Sequence, residues 1–337
     1  MKKLSVFCLL VFAFTSLSVL FSGCSCDTKN KIRINEVTHS IFYAPLYVAI
    51  NNGYFEEDGY EIELTNGGGS DASMTALLSN SADIALMGPE TNVYVEKQGG
   101  NTPVIFGQLT KRDGSFLVGR TEEPNFDWSN LNGKYFIAGR RGGSPAMSLQ
   151  YALTKNGYNI NTDLTFDLDV SFNNTAAAFE GGIGDYVTMF EPTASSFVAS
   201  GKGYIVASVG EESGEIPFTC FSATSKYIND NPEIIEMFLT NIMKAYNFIM
   251  ENYNNNTMDK VVDALMPSFN GTSRESIKTA VENYIKIDAW MDTPVMKESA
   301  FNRLLEMLQF AGELEGTVDF SHVVNNAYAK KVIQNIK

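Results

Sequence analysis

Four short stretches combine small or turn-forming residues with one able to open a helix, and each stands at or just after a strand-like run. They are Gly68, Gly69, Ser70 and Asp71; Gly88, Pro89 and Glu90; Gly142, Gly143, Ser144 and Pro145; and Glu191, Pro192 and Thr193. Glycine lets another molecule approach the backbone, Ser or Asp caps a first turn, and proline presets it. The chemistry on offer is noncovalent recognition. A helix N-terminus favours an anion by about 0.3–1 kcal/mol, and Arg140 and Arg141 beside Gly142 would add charge-assisted hydrogen bonds. Acids oppose that reading, because Glu90 and Glu191 open two of the same helices while Asp113 and Asp185 lie near further candidate segments. A carboxylate can satisfy a helix start itself, or accept from a protonated amine or the edge of an amino-heterocycle at about 1.5–3 kcal/mol. Four acids against two arginines favour a cationic or neutral heteroaromatic ligand; without a ligand, the same residues are ordinary helix caps. Rings recur at these places: Phe42 and Tyr43, Phe116, Tyr186 and Phe190. A stack or cation–π contact with a flat ligand contributes about 0.5–2 kcal/mol. Tyr43 and Tyr186 are the stronger candidates, since a phenol both stacks and hydrogen-bonds, although as core residues the rings need no ligand.

Strand-like runs at 32–37, 60–64, 83–86, 104–109 and 115–119 alternate with helical ones, and a second set follows at 134–138, 164–168, 184–188, 204–208 and 217–222. Alternation of this kind argues for parallel α/β sheets, and two similar arrays imply two lobes. Beyond about residue 225 the pattern turns helical. Ile235, Phe238, Leu239, Ile242, Ala245, Phe248 and Ile249 mark one long amphipathic helix over 232–252, and the Asn-rich NYNNN at 252–256 reads as a polar linker. In open α/β sheets ligands bind where strands end, which is where the four helix starts, three of them glycine-bearing, fall.

The run from Phe42 to Leu64, FYAPLYVAINNGYFEEDGYEIEL, reads as loop, short helix, tight turn and strand in succession. Pro45 fits the first helical turn, Leu46, Ala49 and Ile50 recur at helical spacing, Gly53 closes the helix, and Tyr60, Ile62 and Leu64 alternate with Glu61 and Glu63. With the segments GGSDASMTALLSNSADIALMGPE, LTKRDGSFLVGR, GRRGGSP and GGIGDYVTMFEPTAS, this pattern resembles the solute-binding proteins of ABC importers. The nearest resemblance is to the group of sulfonate-type and thiamine-pyrimidine-type binders, and it covers residues 32–255. It implies an α/β, two-lobed, periplasmic-binding-protein-like type II fold with a ligand cleft between the lobes and a helical C-terminal region. Lobe 1 is then discontinuous, 32–116 joined by 221–337, and lobe 2 is 117–220, with hinge strands crossing near 114–120 and 217–222. The resemblance carries Tyr43, Ser70, Glu90, Asp113, Tyr186 and Glu191 as positions in ligand-facing motifs, and the helix-start argument adds Arg140 and Ser144. The implied partners are a small molecule, thiamine or a related aminopyrimidine with a sulfonate as the alternative, and an ABC permease with its ATPase. A monomer is expected.

Lys2 and Lys3 precede an apolar run from Leu4 to Phe21 that ends in Ser22, Gly23 and Cys24, the form of an export signal over 1–23. Small residues before a cysteine imply lipidation of Cys24, with 24–31 as a polar tether and anchorage to the outer face of the cell membrane. Phe21 stands where lipoprotein signals usually carry leucine, and an uncleaved membrane anchor is the alternative. The formal charge of −14 becomes −16 without Lys2 and Lys3, which disfavours nucleic acid as a partner. Cys8 leaves with the signal and Cys26 lies in the tether, so Cys220 in FTCFSA is a lone buried thiol and no disulfide framework exists. His39 and His322 are too few and too far apart for a metal signature. Fungal-type enzymes that make the thiamine pyrimidine resemble the same fold but use a cysteine cluster with a histidine, which residues 25–337 lack. GGGS also lacks the Lys-Ser/Thr end of a phosphate loop, so neither catalysis nor a cofactor is expected.

Overall fold

In a computed structural model of the chain, residues 30–170 and 174–335 are described. The signal segment, Cys24 and most of the tether lie outside the described residues. Ten strands run β1 (Asn30–Glu36), β2 (Tyr60–Asn66), β3 (Ile84–Met87), β4 (Val104–Thr110), β5 (Phe116–Gly119), β6 (Tyr135–Ile137), β7 (Thr165–Asp167), β8 (Tyr186–Met189), β9 (Tyr204–Ser208) and β10 (Thr219–Ala223). Asn30 and Lys31, read above as the end of the tether, open β1 because they pair with Tyr60 and Glu61 of the edge strand β2.

The strands form two five-stranded sheets, ordered β2-β1-β3-β10-β4 and β7-β6-β8-β5-β9. Within the first, β1 runs parallel to β2 and β3, while β10 inserts antiparallel between β3 and β4. The second repeats the scheme, with β6 parallel to β7 and β8 and β5 antiparallel to β8 and β9. The chain therefore passes from the first sheet to the second between Thr110 and Phe116 and returns between Ser208 and Thr219. These passages overlap the expected crossings at 114–116 and 217–219 and begin a few residues earlier in the chain. The reason is that β5 and β10 are interior strands, fixed by ladder bonds on both edges, which leaves the preceding connections to cross.

Helices α1 (Ala44–Asn51), α2 (Tyr54–Glu57), α3 (Ser70–Leu78) and α4 (Glu90–Lys97) belong to the first sheet. With the second go α5 (Ser144–Lys155), α6 (Thr175–Glu180) and α7 (Thr193–Ala199), and α8 (Val209–Ser213) lies in the return connection. The C-terminal region is helical: α9 (Ser225–Asp230), α10 (Pro232–Asn254), α11 (Asp259–Leu265), α12 (Arg274–Lys286), α13 (Glu298–Phe310), α14 (Phe320–Val323) and α15 (Ala327–Asn335). Pro45 sits in the first turn of α1, and Gly53, with φ +74°, turns the chain after it, a conformation glycine adopts without steric cost. The asparagines read as a linker instead extend α10 by two residues, since Asn252 turns its amide back to the Phe248 carbonyl at 2.8 Å.

Two apolar clusters bind the C-terminal helices to the sheets. Phe238 of α10 is buried against Phe55, Phe106 of β4 and Phe221 of β10, with ring centroids 4.9–6.0 Å apart. Each such ring, fully buried, contributes about 1.5–3 kcal/mol. Further along, Phe301, Leu304, Leu305 and Leu308 of α13 share a cluster with Met147 and Tyr151 of α5, so one helix touches elements of both sheets. Where the two passages meet, Gly210 of α8 lies against Asp113, and a Cβ there would stand 2.0 Å from the Asp113 carbonyl oxygen. Gly210→Ala should therefore destabilise the protein by about 1–3 kcal/mol, read as a fall in the urea midpoint, because backbone must move to admit the methyl.

Candidate functional site

A cavity of about 500 Å³ opens between the two sheets. One wall is built from segments following β1, β2 and β3 together with Phe218 and Thr219, and the other from segments following β6 and β8 with the start of α6. All the parallel strands that contribute do so at their C-terminal ends, where helix N-termini and loop backbone are exposed to a ligand. Of the eight candidate positions, Tyr43, Ser70 and Glu90 stand on the first wall and Arg140, Ser144 and Glu191 on the second.

Asp113 and Tyr186 do not line the cavity. Tyr186 begins β8 and turns to the far face of its sheet, where its ring stacks on Phe136 at 5.2 Å and its hydroxyl donates to Glu123 at 2.9 Å. Asp113 is buried in the first passage between the sheets and accepts from the Ser115 N–H at 2.6 Å. Asp185 is likewise spent on structure, accepting from the Tyr135 N–H at 2.8 Å. Phe42 lies within the core, 4.9 Å from Tyr284 and 5.4 Å from Phe190, and its carbonyl accepts from the Trp290 indole at 2.8 Å. Phe190 itself reaches the cavity wall.

The two wall glutamates have different surroundings, although both are only 2% exposed. Glu191 is fully engaged: Ser195 N–H donates to Oε2 at 2.9 Å, while the Ser195 hydroxyl and the Asn283 amide of α12 donate to Oε1 at 2.7 and 2.6 Å. The Glu191 backbone also lies 3.0 Å from the Tyr284 hydroxyl, so this corner ties the second wall to the C-terminal helices. Glu90 opens α4, and its Oε2 makes no hydrogen bond of ordinary geometry. Burial raises its carboxyl above the usual range, against the opposing pull of the Ser144 hydroxyl, its own backbone N–H, the Ser70 hydroxyl and the Arg140 charge. Tyr43 is pushed up in turn by burial and by the nearby Glu36, Glu90 and Asp113.

Arg140 and Asp71 form an ion pair of 3.1 Å across the mouth of the cleft, one from each wall. Both are substantially exposed, so the pair contributes about 0–1 kcal/mol and leaves the mouth free to open. His39 was not among the candidates, yet it lines the cavity. Its Nδ1 lies 2.9 Å from Glu36 Oε1 and its Nε2 2.8 Å from the Ser268 carbonyl, and the Glu36 carboxylate raises its pKa. Tyr47 donates to the other Glu36 oxygen. The signal in the sequence is an acid at the end of β1, a histidine three residues later and Tyr47 in the first turn of α1, a trio without metal-ligand spacing. Among the described residues, no group of three or more His, Cys, Asp or Glu side chains could hold a metal ion. Cys220 is wholly buried, and burial drives its thiol well above the ordinary range.

Two sheets of this order with a cleft at their strand ends define the periplasmic-binding-protein fold. It is shared with the alkanesulfonate-binding protein SsuA of Xanthomonas axonopodis pv. citri bound to MOPS (TM-score 0.67, 15% identity, 88% of this chain and 98% of that one). The nitrate-binding protein NrtA of Synechocystis PCC 6803 has it as well (TM-score 0.70, 15% identity, 92% and 90%). The chain belongs to the NMT1/THI5-like family, whose pattern it matches over residues 41–255. It is 40% identical over 321 residues, 94% of this chain and 95% of the other, to YtlA of Bacillus subtilis (strain 168), whose name marks it as a candidate binding protein.

Asp113 makes a testable point about the passage between the sheets. Its carboxyl is held at about 7 by burial, which outweighs the lowering by Ser115 and Ser148, and its Oδ2 makes no hydrogen bond of ordinary geometry. A folded-state value above the unfolded one means that stability present below about pH 4 is lost as pH rises to about 7, by at most about 4 kcal/mol. Asp113→Asn should remove that part of the slope and raise the melting temperature above pH 7, as scanning calorimetry from pH 4 to 8 would record.

Proposed function

We propose that the protein is the extracytoplasmic receptor of an ABC importer, held to the membrane by lipid on Cys24, which captures thiamine or a related aminopyrimidine and passes it to a permease and its ATPase. The observation that carries this reading is Glu90, a buried carboxyl on the cavity wall with one oxygen unpaired. An amine or the donor edge of an aminopyrimidine would complete it, and a charged hydrogen bond of that kind contributes about 1.5–3 kcal/mol. Tyr43 and Phe190 offer ring surface to a flat heterocycle in the same cavity. Family membership and a binding-protein relative of 40% identity support the receptor class.

Capture follows from the two-walled geometry. With the Arg140–Asp71 pair the main charged contact across the mouth, a ligand touching both walls stabilises the closed arrangement by its differential contacts. Delivery is noncovalent. A sulfonate or another small anion is the second reading, favoured by Arg140 and by helices α3 and α5, whose N-termini reach the cavity without side-chain caps.

A thermal-shift and calorimetric screen of thiamine, aminopyrimidines and alkanesulfonates discriminates these ligands. Glu90→Gln should weaken thiamine binding about tenfold, about 1.4 kcal/mol, and leave an alkanesulfonate bound equally or better if that is the ligand. Glu191→Gln should also weaken the complex, because its single acceptor oxygen cannot serve both the Ser195 N–H and the Asn283 amide that ties the second wall to α12. Small-angle scattering of the purified protein should show a smaller radius of gyration with saturating ligand; superimposable curves with and without ligand would count against closure.

A further inference from the structure

Helices α3 and α5 approach the cavity from opposite walls, and each begins at a glycine, Gly69 and Gly143, with no side chain capping its first turn. Two open helix N-termini on opposite walls make a seat that would hold a compact anion, beside Arg140, whose charge is shared with Asp71 in the first turn of α3 at 3.1 Å. Glu90 reaches into that seat from a third helix. The Ser70 hydroxyl of α3 and the Ser144 hydroxyl of α5 both stand beside its carboxyl, and the charge of Arg140 acts on it. The group folds over Gly88 so closely that a Cβ there would lie 2.0 Å from Oε2, and the Gly88 N–H donates to Ser70 Oγ at 3.2 Å. The carboxyl is thus held from α3, α4 and α5 at once, yet Oε2 remains without a partner although the residue is only 2% exposed.

We propose that Glu90 is the specificity residue of the cleft, a resident acid that occupies the anion seat between α3 and α5, shuts out sulfonates, sulfate and phosphate, and leaves Oε2 as the acceptor for a hydrogen-bond-donating ligand. The proposal rests on the receptor reading and assigns its selectivity to one side chain. Exclusion acts in two ways: the carboxyl fills the volume an anion would need, and when ionised it repels the anion from a site shielded from bulk water. It follows that removing the carboxyl, rather than only neutralising it, converts the cleft into an anion receptor. The seat's other components, the two helix N-termini, the serine hydroxyls and Arg140, stay in place.

Isothermal titration calorimetry with sodium butanesulfonate, sodium sulfate and thiamine on the purified full chain, as wild type, Glu90→Ala and Glu90→Gln, tests this. Glu90→Ala should bind butanesulfonate at least tenfold more tightly than wild type and lose thiamine, while Glu90→Gln gains less because its amide still fills the seat. Glu90→Ser provides the same opening should the alanine variant fail to fold. A folded Glu90→Ala or Glu90→Ser variant with no gain in butanesulfonate or sulfate binding overturns the proposal, as does a wild type that binds butanesulfonate as tightly as the variant. If wild type ignores thiamine but the variant gains butanesulfonate, the resident acid stands and the vitamin reading falls.

Discussion

A carboxyl group taken out of water with one oxygen unpaired costs about 1–3 kcal/mol or more, and the arrangement around Glu90 is organised by that cost. The residue follows β3 directly and opens α4, so its own helix N-terminus offsets part of the penalty. Ser70 and Ser144 bring hydroxyls from the two opposing walls to the same point. What those groups leave unmet is one buried acceptor on a residue that lines a cavity of about 500 Å³, which is the need a donor on a ligand would answer.

The rest of the fold keeps this point where both walls can share it. Parallel strands deliver their C-terminal ends to the cleft from either side, and the antiparallel insertion of β5 and β10 brings the two passages together behind it. Behind the cavity, α13 packs on α5 and α12 is bound to Glu191, so the helical C-terminal region braces the second wall against the first sheet. The electrostatics are local. His39 and Glu36 compensate one another within the wall, Arg140 and Asp71 do so at the mouth, and Glu191 is satisfied by donors on α7 and α12, which leaves Glu90 as the wall acid with an unpaired oxygen.

Much of the architecture was legible in the chain. Each of the ten strand-like runs overlaps a strand, and the apolar spacing from Ile235 to Ile249 marks α10, because period-two and period-3.6 patterns record burial directly. The glycine-bearing helix starts fell on the cavity for the same reason that strand ends face a cleft in open α/β sheets. What the chain did not disclose was facing and pairing. Tyr186 and Met189 both belong to β8, but only the strand's end reaches the cavity, and periodicity does not say which face of a doubly covered strand looks inward. Asp113 adjoins the passage in sequence and so looked like a cleft residue, whereas the tight approach of Gly210 seals it off. Glu90 and Glu191 read as equivalents, and their difference depends on Ser195 and on Asn283, which lies 92 positions from Glu191 in the chain.

The most direct measurement is a crystal structure of the protein with thiamine bound. The expected result is a ligand N–H donor within about 2.7–3.2 Å of Glu90 Oε2, with the heterocycle in contact with residues of both walls. A ligand seated outside the cleft, or one bound within it that leaves Glu90 Oε2 unpaired, would contradict the account.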